Sequence, residues 1–428
     1  MQNQLQEKTK KILIIGKGGR EHALAWKFAS DDPSVEIFVA EGNAGCELIP
    51  NVSNIGLTEI EDLVGFAMQN RIDLTVVGSE ELLVKGIVDK FEANNLKIFG
   101  PDKQAAMLEG SKAYAKDFMT KYGVKTAKYQ NFTDYAEALN YLKQITFPVV
   151  IKASGLAAGK GVIIAKDNDE AETALADMLL GMVFGESGSE VVIEEFLEGV
   201  EASILSFTDS KVILPLISAK DHKKIGNGET GLNTGGMGVI APNPYVTDEV
   251  YQAFIKDILE PTLNGIKMEK MDFAGVIFFG VMITKNGVYL LEYNMRMGDP
   301  ETQAVLPLMK NKLFPAINSA IDRNLESVNL EWENGATCCV VIASGGYPEK
   351  HHNGYAITGL EKFDLADSYL FAAGVGKKHN DFVTAGGRVL NVVAKGVSLD
   401  DARNKAYKAV NSVNFKDMYY RTDIGKIV

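Results

Sequence analysis

Cysteine is scarce in this chain, three in 428 residues. That leaves too little thiol for a disulfide framework and points to a reducing compartment. Cys338 and Cys339 are neighbours in Ala336-Thr337-Cys338-Cys339-Val340-Val341. Successive side chains on a strand face opposite ways, so the pair is expected to be buried packing, neither bridge nor metal site. Long apolar runs are missing too. The longest, Phe273 to Ile283, is interrupted by two glycines and is too short to cross a bilayer. Met1 to Lys11 is polar, and only Ile12 to Ile15 is apolar before Gly16, so no signal-peptide core is read there. Positive charge is in deficit, 44 Lys and Arg against 56 Asp and Glu, for a net −12. A basic face for nucleic acid or an anionic membrane is therefore not expected. Repeats and low-complexity tracts are absent. What remains is 46% apolar and 23% charged, the balance of a soluble globular protein. The length calls for about two to four domains.

The first hundred residues alternate strand and helix. Strands are expected at Lys11–Ile15, Val35–Val39, Leu74–Val77 and Lys97–Phe99, and helices at Arg20–Ala29, near Glu59–Gln69 and near Leu82–Ala93. This is a doubly wound parallel pattern, in which ligands bind at the carboxyl ends of the strands. The loops there are Gly16-Lys17-Gly18-Gly19-Arg20, Glu41-Gly42-Asn43-Ala44-Gly45 and Gly78-Ser79-Glu80-Glu81. The first fails the dinucleotide fingerprint because Glu21 stands where the third glycine belongs. A phosphate at the helix N-terminus, gripped by Arg20, is still expected.

Pro101 closes that unit, and a helix is expected from Ser111. Helices follow near Asp134–Lys143 and Asp169–Leu180, then strands at Val191–Leu197 and Lys211–Leu214. The glycine-rich stretch Gly226 to Gly238 reads as a loop ordered only around a ligand. A helix near Asp248–Leu263 precedes a hairpin of Gly275–Thr284 and Gly287–Tyr293, turned at Lys285-Asn286-Gly287. After helices to about Asn324, Thr337–Ala343 begins a smaller α+β unit.

The most informative stretch is Pro148 to Ile164. Two β-branched runs flank Ser154-Gly155-Leu156-Ala157-Ala158-Gly159-Lys160-Gly161. Glycine and alanine let a backbone close on a ligand and aim N–H groups at it, and Lys152 and Lys160 add positive charge, as suits a polyphosphate. It is not a Walker loop, since Gly161 follows Lys160 and a strand follows the loop. Glu292-Tyr293-Asn294 ends the later hairpin. Positions two apart share a face, so a carboxylate and an amide oxygen form a hard-oxygen site suited to Mg²⁺. Arg296-Met297-Gly298-Asp299-Pro300-Glu301 follows directly and reads as a substrate clamp or a salt-bridged turn. Glu194-x-x-Leu197-x-x-x-Glu201 reads as a solvated acidic edge, or as backbone and carboxylate against adenine with a second carboxylate on ribose. His22 and His222 lie in ligand loops, in either an orienting or a substrate-contacting role.

This set resembles the ATP-grasp ligases, and more narrowly the phosphoribosylamine–glycine ligase family of purine biosynthesis. The resemblance runs nearly end to end. It rests on Gly18-Gly19-Arg20-Glu21-His22-Ala23, Glu109-Gly110-Ser111-Lys112, the Gly155–Gly161 loop, Asp221-His222-Lys223, Asn233-Thr234-Gly235-Gly236-Met237-Gly238, Arg296 through Glu301, and Gly386-Gly387-Arg388-Val389-Leu390. It departs where the family commonly carries Asp at Ser154, Gly-Pro-Glu at Gly78-Ser79-Glu80 and Phe-Asn-Cys-Arg-Phe at Tyr293–Met297. ATP-grasp enzymes often hold another acidic metal ligand on the preceding strand. Val276-Ile277-Phe278-Phe279-Gly280-Val281 has none, which implies that Glu292 bridges two ions. Some relatives continue into two further purine enzymes, for which a chain ending at Val428 is expected to have no room.

The resemblance implies an α/β and α+β multidomain fold. Residues 1–110 would form an N-terminal doubly wound parallel sheet. Residues 111–330 would form the ATP-grasp fold, with a mobile lid subdomain at about 123–193. Residues 331–428 would form a small C-terminal α+β domain. It implies ATP and Mg²⁺ or Mn²⁺ as cofactors, and glycine and 5-phosphoribosylamine as substrates. It further implies a cytoplasmic enzyme, monomer or weak homo-oligomer, without nucleic-acid or membrane partner. By the same resemblance Lys152, Arg296 and Asp221 would take the catalytic roles. Nucleotide would lie on Lys112, Lys152, Gly155, Gly159, Lys160, Gly161, Glu194, Glu195, Leu197 and Glu201, and metal on Glu292 and Asn294. Substrates would touch Gly18, Gly19, Arg20, Gly42, Asn43, Gly78 and Glu80, and also Asp221, Lys223, Asn233, Gly235, Gly236 and Arg296. Arg296 would grip either the glycine carboxylate or the ribose phosphate. The alternatives are another ATP-grasp carboxylate–amine ligase, a biotin-dependent carboxylase subunit, and a catalytically silent nucleotide-binding regulator.

Overall fold

The computed structural model describes residues 9–157, 161–181, 183–360, 363 and 366–427. Its N-terminal sheet is parallel, in the order Val52–Ile55, Glu36–Glu41, Lys11–Gly16, Leu74–Val77, Ile98–Phe99. The central strand reads as an unbroken apolar run because both faces are covered. Ile12 and Ile14 enter one core with Ala23, Leu24 and Phe28 of the helix Gly19–Asp31. Leu13 and Ile15 enter another, with Leu63, Ala67, Ile87 and Phe91 from the opposite helices. The expected helix at Leu82–Ala93 is two, Glu80–Val84 and Ile87–Ala93, because Gly86 at φ +88° ends the first. The edge strand Val52–Ile55 went unforeseen, since four residues holding Ser53 and Asn54 carry almost no strand signal.

Two antiparallel sheets follow. One runs Tyr129–Phe132, Val191–Glu195, Val149–Ala153, Val162–Ala165 and packs its own small core under the helices Tyr135–Leu142 and Asn168–Leu175. The other runs Ile213–Pro215, Val200–Thr208, Gly275–Thr284, Gly287–Asn294. Val200–Thr208 was not expected, because Ser203 and Ser206 interrupt its apolar pattern. The helix expected to stop near Leu263 continues over 248–268.

The last sheet takes two strands from mid-chain. Lys220–Asp221 pairs with Gly238–Ala241, which pairs onto Ala336–Ser344, followed by Arg388–Gly396 and Ser368–Ala372. Cys338 and Cys339 face opposite cores with free thiols, as their adjacency on a strand requires. The segment expected to order only around a ligand is instead a formed hairpin, Lys224–Gly226 against Thr230–Asn233. Gly228 at φ +68° makes its turn. Among the described residues no helix is long and apolar enough to cross a membrane.

Candidate active site

The sheets converge on a cavity of about 820 Å³. One wall is built by a helix start meeting a strand end. Ser111 caps the helix Lys112–Tyr122 by accepting from Tyr114 N at 3.2 Å. The hydroxyl of Ser154 accepts from Ala113 N at 3.1 Å, and its carbonyl accepts from Lys112 N at 2.7 Å. A hydroxyl at position 154 thus caps the helix as a carboxylate there would. These bonds place Lys112, whose Nζ donates to Gly155 O at 3.1 Å.

Lys152 lies on Val149–Ala153, where Val150 pairs with Glu194. Lys152 and Glu194 are therefore diagonal neighbours on one face. Lys152 Nζ is 2.9 Å from Glu194 Oε1, and Lys116 Nζ, one helical turn beyond Lys112, is 3.0 Å from Oε2. All three side chains are at least 93% buried. Burial pushes the Lys116 ammonium down to about 8 against the pull of Glu194, and pushes Lys112 down as well. Lys116 and Lys152 share the one Glu194 carboxylate while Lys112 bonds a carbonyl, which leaves surplus positive charge in a dry wall that a polyphosphate would neutralise. The Glu194 carboxylate is thus held by lysines, not left free for adenine. Glu195 borders the cavity, and its side chain is engaged there: Oε1 accepts from Lys128 N at 2.9 Å on an exposed edge. Leu197, Glu201 and Gly161 line the cavity, and Gly155 packs against Ser187 instead. Gly159 and Lys160 lie outside the described residues.

Glu292 and Asn294 project from one face of Gly287–Asn294 into the cavity, opposite Gly280 and Phe278. Burial works to raise the Glu292 carboxyl. Lys223, Lys152, Lys112 and Arg296 outweigh it and hold the group below its ordinary value. Arg296 Nη2 donates to Asn294 Oδ1 at 3.2 Å, which orients the amide. An ionised buried carboxylate beside an oriented amide oxygen fits a hard divalent cation. Among the described residues no group of three or more His, Cys, Asp or Glu could hold a metal, so phosphate and water would complete the shell.

Arg296 is heavily engaged. Its Nη2 is 2.9 Å from Glu109 Oε1, its Nε is 3.7 Å from Glu80 Oε2, and that buried Nε makes no hydrogen bond among the described residues. Burial raises Glu80, but Arg296 and Arg20 hold it below its ordinary value. Asp221 sits on the edge strand Lys220–Asp221, and its buried Oδ1 has no hydrogen-bond partner among the described residues. Burial and the nearby Glu301 push the Asp221 carboxyl well up, against Lys223 and Arg388. Lys223 Nζ pairs with Glu201 Oε2 at 2.7 Å, and Glu301 Oε1 accepts from Ser203 Oγ at 3.0 Å. Asn233 and Gly235 border the same space.

The helix at Gly19 does not present a free anion slot. Glu21 Oε2 accepts from Gly18 N at 2.6 Å, and Asp299 Oδ2 from Arg20 N at 3.3 Å. The chain's own carboxylates stand where a phosphate was expected. Arg20 still borders the cavity, with Nε 2.5 Å from Glu21 Oε1 and Nη1 donating to Met297 O at 3.0 Å. Gly18, Gly19, Gly42, Gly78 and Gly236 are absent from the cavity lining and serve close packing. A side chain at Gly18 would strike Asp299, and one at Gly236 would strike Asp221. Asn43 is committed to the backbone, donating to Lys17 O at 2.9 Å and Ala372 O at 3.0 Å. Both histidines resolve to packing. His22 Nδ1 accepts from Ala372 N at 2.9 Å, and His222 bonds Gly238 O and Gly425 N; burial pushes each ring down to about 4.

Lys116, Glu109 and Arg388 also line the cavity, without a role assigned from sequence, as do Asp299 and Glu301 of the expected clamp or turn. The Lys112-x-x-x-Lys116 spacing was the readable signal for the first. Asp299 Oδ1 lies 3.2 Å from Arg388 Nη2, a partner 89 residues away that local pattern does not reveal.

Three family models match in succession. They are the phosphoribosylglycinamide synthetase N domain over residues 10–109, its ATP-grasp (A) domain over 110–302, and its C domain over 337–427. The chain is 60% identical to the phosphoribosylamine–glycine ligase of Fusobacterium nucleatum, covering 97% of this chain and 98% of the relative. It is 54% identical to that of Clostridium acetobutylicum, over 97% and 99%. The crystal structure of the Thermotoga maritima phosphoribosylamine–glycine ligase superposes with a TM-score of 0.84 at 33% identity, over 97% and 100% of the two chains. A biotin carboxylase from Campylobacter jejuni reaches a TM-score of 0.74 at 16% identity, a likeness of fold alone. The chain belongs to the phosphoribosylglycinamide synthetase family, the ATP-grasp ligases that join glycine to phosphoribosylamine.

Proposed function

We infer that the chain catalyses ATP + glycine + 5-phosphoribosylamine → ADP + phosphate + glycinamide ribonucleotide, in purine biosynthesis, through glycyl phosphate. The observation that carries this is one cavity shared by the buried Lys112, Lys116 and Lys152 cluster and the Glu292 and Asn294 oxygens.

A carboxylate is a poor acyl donor, so the γ-phosphoryl group first moves onto glycine. Lys152 and Lys112 neutralise the phosphates and hold them in line for transfer. Glu292 and Asn294 would hold Mg²⁺ or Mn²⁺, which supplies Lewis-acid stabilisation of phosphate charge. Arg296 orients the glycine carboxylate through its guanidinium, whose Nε makes no hydrogen bond among the described residues, with Glu80 and Glu109 fixing the guanidinium plane. Leu197 and Glu201, which line the cavity, take adenine and ribose. Lys223, Asn233 and Gly235 bound the space left for phosphoribosylamine. Its amine attacks the acyl carbon, the carbon–oxygen bond to phosphate breaks, and phosphate leaves. Asp221 stands beside that path as a proton acceptor. Positioning two small substrates side by side contributes several kcal/mol, up to roughly 7–11 in favourable cases. We read the enzyme as cytoplasmic.

The test is ADP release with phosphoribosylamine made in situ and each substrate omitted in turn. Release that needs both glycine and phosphoribosylamine is expected. Biotin-dependent release, or none, would replace this reading with one of its rivals.

A further inference from the structure

The hairpin of Lys224–Gly226 and Thr230–Asn233 forms one rim of the cavity, to which it brings Lys224, Glu229 and Asn233. Its second strand is largely exposed, so it has little core of its own. What holds it comes from the far end of the chain. Arg421 is among the largest fully buried side chains in the molecule. Its Nη1 donates to Lys224 O at 2.9 Å, and its Nη2 reaches Glu229 Oε1 at 2.8 Å. Its Nε and Nη2 also bind both oxygens of Asp423, each at 2.8 Å. Asp423 Oδ2 accepts from Gly228 N at 2.7 Å. Thr422 and Asn227 exchange two bonds, at 2.8 and 3.0 Å, and Tyr419 OH donates to Ile225 O at 2.7 Å.

We propose that Arg421 is a positioning residue for the ligation, a buried fork that fixes the glycine-rich rim before substrate arrives. The proposal rests on the ligase reading of the cavity. Nothing in the reaction asks for a guanidinium there, and Arg421 itself does not line the cavity. Its effect passes through the backbone. Lys224 O and Gly228 N are fixed, so Lys223, which directly precedes the strand Lys224–Gly226 and pairs with Glu201, is held with them. A rim ordered in advance spares the substrates the cost of ordering it, and so lowers their KM more than it raises kcat. Only a planar fork binds a carbonyl and two carboxylates at once, so lysine would keep the charge and lose the grip.

The test is Arg421→Lys in the full chain, read by ligand-free hydrogen exchange and by steady-state kinetics. Exchange of the 224–233 amides should rise about tenfold or more while the strand Lys11–Gly16 stays protected. The KM for glycine or phosphoribosylamine should rise about fivefold, with kcat recovered to within about twofold at saturation. If Arg421→Lys does not fold, Asp423→Asn is read by the same two measures. Unchanged rim exchange, or a lower melting temperature with unchanged KM, would reduce Arg421 to an anchor of the C-terminal segment. Wild-type ADP release independent of glycine would overturn the ligase reading instead, and the exchange result would still decide whether the fork orders the rim.

Discussion

Arg296 and Glu109 meet at 2.9 Å, and Glu109 Oε2 also accepts from Met295 N at 2.6 Å. One carboxylate therefore fixes both the guanidinium and the backbone just past Glu292 and Asn294. Arg296→Lys would keep a charge near Glu109 but lose the bond to Asn294 and the Nε edge. The KM for glycine should rise on the order of tenfold or more and that for ATP change little. A rise in the KM for phosphoribosylamine alone would move Arg296 to the ribose phosphate.

Glu292→Gln preserves shape and removes an anion that faces Lys223, Lys152, Lys112 and Arg296. Turnover should fall about a hundredfold or more at saturating Mg²⁺, with near-UV circular dichroism unchanged. Mn²⁺ titration of the variant checks the same point, since an intact metal response would exclude this carboxylate as a ligand.

Lys116→Met leaves Glu194 to Lys152 alone. The KM for ATP should rise about tenfold. A pH signature separates this from simple destabilisation. The Lys116 ammonium faces Glu194, Lys152 and Glu292, with the Thr126 hydroxyl and the Tyr129 ring beside it. It is held near 8, so ATP affinity should weaken as the pH rises through about 8. The variant should lack that step, and a step of equal size in both proteins would assign the ionisation elsewhere.

His22 and His222 stay neutral in the fold, each near 4 against an ordinary value of 6.5. Between those values the unfolded chain binds more protons, so stability falls as the pH drops from about 6.5 toward 4. At pH 5 each ring accounts for a loss of about 2 kcal/mol relative to neutral pH. Asp221 and Glu301, both raised by burial, act the opposite way. The clean measurement is therefore a comparison of the wild type with His222→Gln. The variant's denaturant midpoint should change less between pH 7 and pH 5, and equal slopes would contradict the neutral ring.

Features carried by short spacings were legible in sequence. Glu292 and Asn294 share a face because strand side chains alternate. The Lys285-Asn286-Gly287 turn folds as written, with Gly287 at φ +112°. Features set by distant partners were not. Glu194 read as a nucleotide contact because nothing near it names Lys116 or Lys152 as its partners. The 226–238 segment read as a loop ordered only around a ligand because its anchor, Arg421, lies nearly two hundred residues downstream. The helix start at Gly19 read as an anion site because its occupants include Asp299, brought in from another part of the chain.

The adjacent thiols on the strand Ala336–Ser344 divide the molecule's interior between them. Cys339 belongs to the core that also holds Ile12, Phe28 and Phe207, whereas Cys338 belongs to one closed by Val410, Phe415 and Ile424. Burial pushes Cys338 up to about 12 and Cys339 well up, so neither reacts until its own side opens. Two neighbouring sulfur atoms thus act as separate clocks. The order in which a thiol reagent reaches them, mapped by peptide mass, tells whether the C-terminal layer peels from the rest before it loses its own packing.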